Sequence, residues 1–474
     1  MFIKNVSIEN FRIFKESFRF PDGTIGIPDG RTKGSGLTIL VGENGVGKTS
    51  ILEAIALPLI SYKSDSLELN DFCDISHNVE IEIEADSNFS VKKTIRGDFE
   101  AKGFKFTAKL RAQNSSRFMV GTAVNDTLFV PADGVSIAAG SPDLRTAVGN
   151  PFVGARFNDN EYAYIDKSRT KNLESGMFSA SRFDRILDNF NFQYLQTNSN
   201  EPMAIQQTIS DFINADSISN DLLSEAFNDF KQKTGYEVSL NFLDDALPFK
   251  KAYLGFTDLD RKQIPISKLG SGYQMFLSLI CQQKLSLQSG KKLILLIDEI
   301  ELHLHPKLQK ELVDILLEFS KTSQIILTSH SPELLKDLQK NKHHKINALV
   351  RDGSEITVNP IREFVLPMPT ISETNFVAFN LASVEYFIEL YSRYGELNGV
   401  SSVAAIDRLL ASDGTATITW QRDDAPDQSL TMISCVRNKF HHPTNTLNDS
   451  RIDVGYEAML SYIETLRTKI SAAP

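Results

Sequence analysis

The hydrophobic pattern opens with alternation. MFIKNVSIENFRIF places apolar residues at every second position, the period of a half-buried strand, and has no apolar core of the kind a secretory leader carries. Three continuous apolar runs come later: Leu37 to Val41, Leu293 to Ile297 and Ile325 to Leu327. Short runs without alternation predict strands covered on both faces, as in a parallel sheet flanked by helices. The stretch VEIEIEADSNFSVKKTIRGDFEAKGFKFTAKLRA alternates again and predicts a β-rich lobe. Residues 114–161, rich in Gly, Ser, Asn and Asp, predict loops. From RFDRILDNFNFQYLQ to TISDFINADSISNDLLSEAFNDFKQKTG the spacing turns helical. No sustained heptad and no fixed repeat is present, which predicts a compact insert rather than a coiled-coil arm. INALVRDGSEITVNPI predicts a closing hairpin with Asp352-Gly353 at its turn. Pro367 and Pro369 then break the chain, and three helical segments follow: TNFVAFNLASVEYFIELYSRYGEL, MISCVRNKFHH and VGYEAMLSYIETLRTKI. The expected architecture is α/β. A head spans residues 1–365, with a β-rich lobe and a compact helical insert at about 160–250, and a helical module fills 366–474.

Composition narrows the partners. The 474 residues are 41% hydrophobic and 23% charged, ordinary for a well-cored chain, and no apolar run reaches the roughly 18 residues of a membrane span. Cys73, Cys281 and Cys435 are far apart and odd in number, which predicts neither disulfides nor zinc and places the chain in the reducing cytoplasm. A formal charge of −10 excludes a surface that wraps nucleic acid broadly. Nucleic acid could meet only a local patch, such as Lys336, Lys340, Lys342 and Lys345, which equally reads as a solvated helix end.

The chemistry concentrates at the ends of the apolar runs. After Leu37–Val41 comes GENGVGKTS, in which Gly42, Gly47, Lys48 and Thr49 complete G-x-x-x-x-G-K-[ST] before a helix-forming ILEAIA. The glycines let backbone N–H groups from Asn44, Gly45, Val46, Gly47 and Ser50 converge on phosphates. Lys48 then reaches the β- and γ-phosphates of ATP, and Thr49 offers a hydroxyl to Mg²⁺. The second apolar run ends in Asp298 and Glu299, at the sheet edge where open α/β folds place ligands. Asp298 is assigned to the Mg²⁺ shell, and Glu299 orients or deprotonates the attacking water. In SKLGSGYQMF, glycines open a helix whose bare N-terminal amides suit a second phosphate, normally on a facing protomer. His330 follows the third run at the position of a γ-phosphate sensor. His303 and His305 in ELHLHP suit a turn better than a metal site.

The series GENGVGKTS, LGSGYQ, LLIDEIELHLHP and TSHSP resembles the ABC-type ATPases of the SMC, RecF and OLD group. That resemblance implies that Gly270, Ser271 and Gly272 form a signature loop completing a neighbour's site, that His330 is the switch histidine, and that Arg12 in ENFRIF sits near the nucleotide. It also implies head-to-tail homo-oligomers that sandwich ATP, so that hydrolysis is tied to association. Gly270 stands where the group carries serine, which leaves that role to Ser271. No single glutamine is identified as the Q-loop residue.

Three readings divide the C-terminal module. Arg437, Asn438 and His442 in RNKFHH resemble the R-N-x-x-x-H motif of HEPN ribonucleases, with Glu385 or Glu389 as the acidic helper. SVEYFIELYSRYG followed by RNKFHHPTN resembles the tail of the PtuA family of Septu-type anti-phage ATPases, also found beside retrons, which work with a separate small HNH endonuclease. His442-Pro443 can also simply end a helix. The favoured expectation is an ATP-hydrolysing regulatory subunit of an anti-phage complex, with the tail as a docking module. Its rivals are a self-contained ribonuclease and a RecF-like DNA-repair ATPase.

Overall fold

The computed structural model describes residues 1–60, 67–94, 97–114, 117–129, 160–165, 218–241, 253–257, 263–265, 269–302, 304–338, 343–353, 355–422, 426–442, 448 and 451–472. The opening alternation becomes β1 (Ile3–Glu9), which with β2 (Phe18–Arg19), β4 (Val79–Thr94), β5 (Gly97–Asn114) and β6 (Arg117–Phe129) forms an antiparallel sheet in the order β2-β1-β4-β5-β6. The apolar runs build a second sheet from β3 (Leu37–Val41), β7 (Asn160–Ile165), β11 (Lys292–Ile297), β12 (Gln324–Thr328), β13 (Lys345–Asp352) and β14 (Glu355–Pro360). Its order is β14-β13-β3-β12-β11-β7, parallel throughout except for the β13–β14 hairpin.

Helix α1 (Lys48–Ile60) follows β3, and its apolar residues pack in one core with both sheets. Ile51, Leu52, Ala54, Ile55, Ala56 and Leu57 are all buried, so the helix carries apolar residues on every side instead of one stripe. A buried glutamine stitches the two sheets together. Gln324 in β12 accepts the Ile3 N–H at 2.7 Å and donates to the Ile3 and Gly26 carbonyls at 2.7 and 2.8 Å. Helix α2 (Ile218–Thr234) lies against α3 (Ser271–Ser289), with the Phe230 and Phe276 rings 6.2 Å apart. A small sheet runs beside them in the order β10-β9-β8, from β8 (Glu237–Asn241), β9 (Tyr253–Thr257) and β10 (Gln263–Pro265). Helices α4 (Pro306–Phe319) and α5 (Pro332–Leu338) follow β11 and β12.

The chain divides into two compact units, residues 1–334 with 341–360, and residues 335–340 with 361–474. The second holds α6 (Ile371–Phe379), α7 (Val384–Leu397), α8 (Val403–Ser412), a hairpin of β15 (Thr417–Trp420) and β16 (Gln428–Thr431), α9 (Met432–His441) and α10 (Tyr456–Ser471). Phe376, Tyr386, Phe387, Leu390, Trp420, Val436, Ile463 and Leu466 fill its core.

The structure is α/β as expected, with three corrections to the sequence reading. Residues 114–161 are not all loop. Arg117–Phe129 forms β6, which pairs antiparallel with β5 from Asn114↔Arg117 to Ala101↔Phe129. The helical insert does not begin at 160, since Asn160–Ile165 is a core strand paired along its whole length with β11. The region up to 250 also contains β8, so it is not wholly helical. TNFVAFNLASVEYFIELYSRYGEL is two helices, because Asn380 takes a left-handed conformation (φ 56°) and Ser383 caps the next helix. The segment RFDRILDNFNFQYLQ lies outside the described residues.

Candidate functional site

Strand β3 ends at Val41, and the chain turns through glycines in conformations other residues adopt only under strain. Gly45 has φ 81° and Gly47 φ 94°. Space confirms the need at Gly47, where a Cβ would lie 2.7 Å from Ile13 Cδ1 and 2.8 Å from Phe14 Cζ. The ENFRIF segment is thus the floor of the phosphate loop. Lys48 then starts α1. Its side chain folds back over the loop and donates to the carbonyls of Gly42 and Glu43 at 2.8 and 2.7 Å. Burial pulls the Lys48 ammonium down from 10.5 to about 8, against the opposing field of Asp298, Glu299, Glu301 and Glu43. The unfolded chain holds that proton up to 10.5, so folding gains on this account as pH rises from about 8 toward that value. Phosphate binding has the opposite preference because it needs the charged form. Affinity for Mg²⁺-free ADP, measured by calorimetry, is expected to be steady near neutrality and to fall above about pH 8 by up to roughly tenfold per unit.

Thr49 and Asp298 meet as the two motifs predict. The Thr49 hydroxyl donates to the Asp298 carboxylate at 2.9 Å (Oδ2) and 3.2 Å (Oδ1). Asp298 is buried at the end of β11, and the Thr328 hydroxyl at the end of β12 donates to its Oδ1 at 2.7 Å. The same Thr328 oxygen accepts the Glu299 N–H at 2.7 Å. Glu299 sits at φ 46°, a left-handed conformation that costs a glutamate about 1–3 kcal/mol. One hydroxyl therefore holds both acids in place, a role the sequence reading missed although Thr328 stood in the quoted TSHSP. Thr328→Val is expected to lower turnover roughly 10–100-fold with nucleotide affinity little changed, as steady-state kinetics would show.

His330 follows on the loop after β12, and its backbone N–H donates to Glu301 Oε1. Arg12 (φ 52°) is held by its own side of the fold. Its Nε donates to Asp71 Oδ1 at 2.8 Å, and its guanidinium pairs with Glu53, one turn of α1 beyond Thr49. In the glycine-opened loop, Gly270 is the exposed N-cap of α3, and no side-chain cap bond to the amides is made among the described residues. Ser271 opens the helix, Gly272 is buried behind it, and Gln274 Nε2 donates to the Leu269 carbonyl at 2.7 Å. His305 is the N-cap of α4, accepting the Lys307 N–H at 3.3 Å, and His303 lies outside the described residues. In the lysine patch, Lys336 and Lys345 are exposed; Lys340 and Lys342 lie outside the described residues.

In the second unit, Arg437 Nη1 donates to Asn438 Oδ1 at 3.1 Å, and the His442 N–H donates to the Asn438 carbonyl at 2.8 Å. His442 is the exposed C-cap of α9. Glu389 accepts the Thr370 hydroxyl at 2.6 Å, and Glu385 is exposed in the first turn of α7. Among the described residues no hydrogen bond or ion pair joins either glutamate to Arg437.

A phosphate loop opening a buried helix, and an acid pair at the end of a neighbouring parallel strand, define a P-loop ATPase. The chain belongs to the family described as AAA domain, putative AbiEii toxin, Type IV TA system, whose model matches residues 37–336. It is similar to the Retron Vc95 probable ATPase of Vibrio cholerae serotype O1 biovar El Tor, 25% identical over 66% of this chain and 69% of the relative. It is also similar to the OLD nuclease of Thermus scotoductus, 25% identical over 76% of this chain and 64% of that protein. The match thus leaves about a third of each relative uncovered. Among solved structures, an Smc head bound to the C-terminal winged-helix domain of ScpA overlaps at TM-score 0.44 with 16% identity, covering 76% of this chain and 98% of that one. The SMC head domain from Thermotoga maritima overlaps at TM-score 0.35 with 14% identity, covering 77% of this chain and all of that one. No helix among the described residues is long and apolar enough to cross a membrane.

Proposed function

We propose that the chain is the ATP-binding and ATP-hydrolysing regulatory subunit of an anti-phage defence complex, of the Septu type, that controls a separate HNH nuclease through nucleotide-dependent head-to-tail assembly. The observation that carries the ATPase half is the meeting of Thr49 with Asp298 beside a buried Lys48. The defence half is supported by the likeness to a retron-associated probable ATPase and by the resemblance of the SVEYFIELYSRYG and RNKFHHPTN segments to Septu-type tails.

The residues fit Mg²⁺ and ATP. A hydroxyl and a carboxylate in contact are hard oxygen donors of the kind Mg²⁺ takes in small number beside substrate phosphates. When bound, Mg²⁺ neutralises charge on the phosphates. Lys48 exchanges its two carbonyl partners for phosphate oxygens, while the amides of Asn44–Ser50 line the polyphosphate. Glu299 takes the proton of the attacking water, with its backbone fixed by Thr328. Gly270, Ser271 and Gly272 of a second copy close the site from the other side, and His330 contacts the γ-phosphate. For ATP to switch the complex, the two assembly states must bind it with different affinity.

The nuclease reading calls first for a small HNH endonuclease gene beside this one, and then for the two purified proteins together. Cleavage of DNA by the pair is expected to change with ATP concentration. Equal cleavage at all ATP concentrations would contradict regulation. Cleavage of RNA without metal by this chain alone, lost in Arg437→Ala/His442→Ala, would replace the docking role of the tail with a catalytic one.

A further inference from the structure

We infer that Glu301 is a positioning residue for the switch histidine, an assignment that rests on the ATPase reading above. The loops that leave the neighbouring parallel strands β11 and β12 are tied by side chains at three levels. Thr328 joins Asp298 and Glu299 at the strand ends. Later along both segments, the Ser331 hydroxyl donates to Gln309 Oε1 at 3.2 Å, and Gln309 Nε2 donates to the Leu304 carbonyl at 3.3 Å. Between them Glu301 Oε1 accepts the backbone N–H of His330 itself. A carboxylate accepting an N–H makes a stronger bond than a neutral acceptor, so His330 is fixed by the residue two places after Glu299.

What the His330 N–H requires here is an acceptor oxygen in this position, not a charge. Glu301 is half-buried, and among the described residues its Oε2 has no hydrogen-bond partner. Burial raises its proton affinity, opposed by the His330 N–H and the Ser329 hydroxyl. A glutamine carbonyl could accept the same N–H without the desolvation of a charge. The turn that carries Glu301 begins at Glu299, whose carbonyl accepts the Leu302 N–H at 3.0 Å. Displacement of Glu299 on meeting nucleotide is therefore passed to His330 through Glu301, and His330 reports back along the same bond. The linkage sets the distance between the two catalytic groups rather than taking part in bond cleavage.

The test is a double-mutant cycle on the full chain, read by ATP hydrolysis. Glu301→Ala is expected to lower kcat by about tenfold or more, with KM within about twofold. Glu301→Gln, which keeps a carbonyl acceptor, is expected to restore most of that loss. In a His330→Ala background, Glu301→Ala is expected to cause no further loss. Should Glu301→Ala fail to fold, Glu301→Asp, which keeps the charge but shortens the reach, carries the same cycle. Equal losses in both backgrounds, or an unchanged kcat in Glu301→Ala, would overturn the assignment while leaving the ATPase reading intact. A wild-type chain with no turnover would remove both together.

Discussion

Glu299→Gln is expected to lower ATP turnover roughly 10²–10⁴-fold, the range for removal of a general base, while nucleotide affinity changes little. The reason is local. The Glu299 backbone is held through the Thr328 hydroxyl in a left-handed φ, a placement that does not depend on whether the side chain ends in a carboxylate or an amide. An amide is nearly the same size and shape, so the turn survives. What disappears is the capacity to accept a proton. The measurement is single-turnover hydrolysis with radiolabelled ATP, paired with equilibrium binding. Turnover within about threefold of wild type would remove Glu299 from its role, since removing a general base costs far more than that.

Gly47→Ala is the second large effect. The added methyl would sit 2.7 Å from Ile13 Cδ1 and 2.8 Å from Phe14 Cζ, with φ at 94°. The two strains are separable. Left-handed backbone costs a residue other than glycine about 1–3 kcal/mol, and the collision pushes the ENFRIF floor away from the loop. Thermal melting is expected to drop by several degrees, and ADP affinity to fall by more than about tenfold because the amides no longer converge. Shortening the floor with Ile13→Ala in the same chain is expected to recover part of the melting temperature and little of the affinity, because the backbone strain persists. Full recovery of both would mean that side-chain crowding alone sets the loop.

How far the site was legible depends on where its physics lies. Lys48, Thr49 and Asp298 could be read because each stands at a fixed offset from an apolar run, and a strand with two buried faces leaves no other pattern. The β13–β14 hairpin was legible for the same kind of reason, with Gly353 at φ 59° in its turn. Strand β7 was missed because NEYAYI is short and stands between polar stretches. Only its pairing with β11 makes it core. The roles of Thr328, Glu301, Glu53 and Asp71 are contacts across sequence separations that no local pattern encodes. Thr328 reaches Asp298 across 30 positions and Arg12 reaches Asp71 across 59. The tail motif is the converse case. Arg437, Asn438 and His442 match a catalytic spacing, and the fold adds only that Arg437 donates to Asn438 Oδ1 and the His442 N–H to the Asn438 carbonyl at the end of α9.

Assembly driven by nucleotide is the central claim, and one measurement meets it most directly: the mass in solution of the Glu299→Gln chain, by sedimentation or mass photometry, with no nucleotide, with ADP and with ATP plus Mg²⁺. ATP with Mg²⁺ is expected to give a species at least twice the 53.0 kDa chain mass that is absent or much reduced under the other two conditions. Replacing Ser271 with arginine in the same chain is expected to abolish it. The same mass in all three conditions would contradict nucleotide-driven association and leave a P-loop ATPase that hydrolyses without a partner copy.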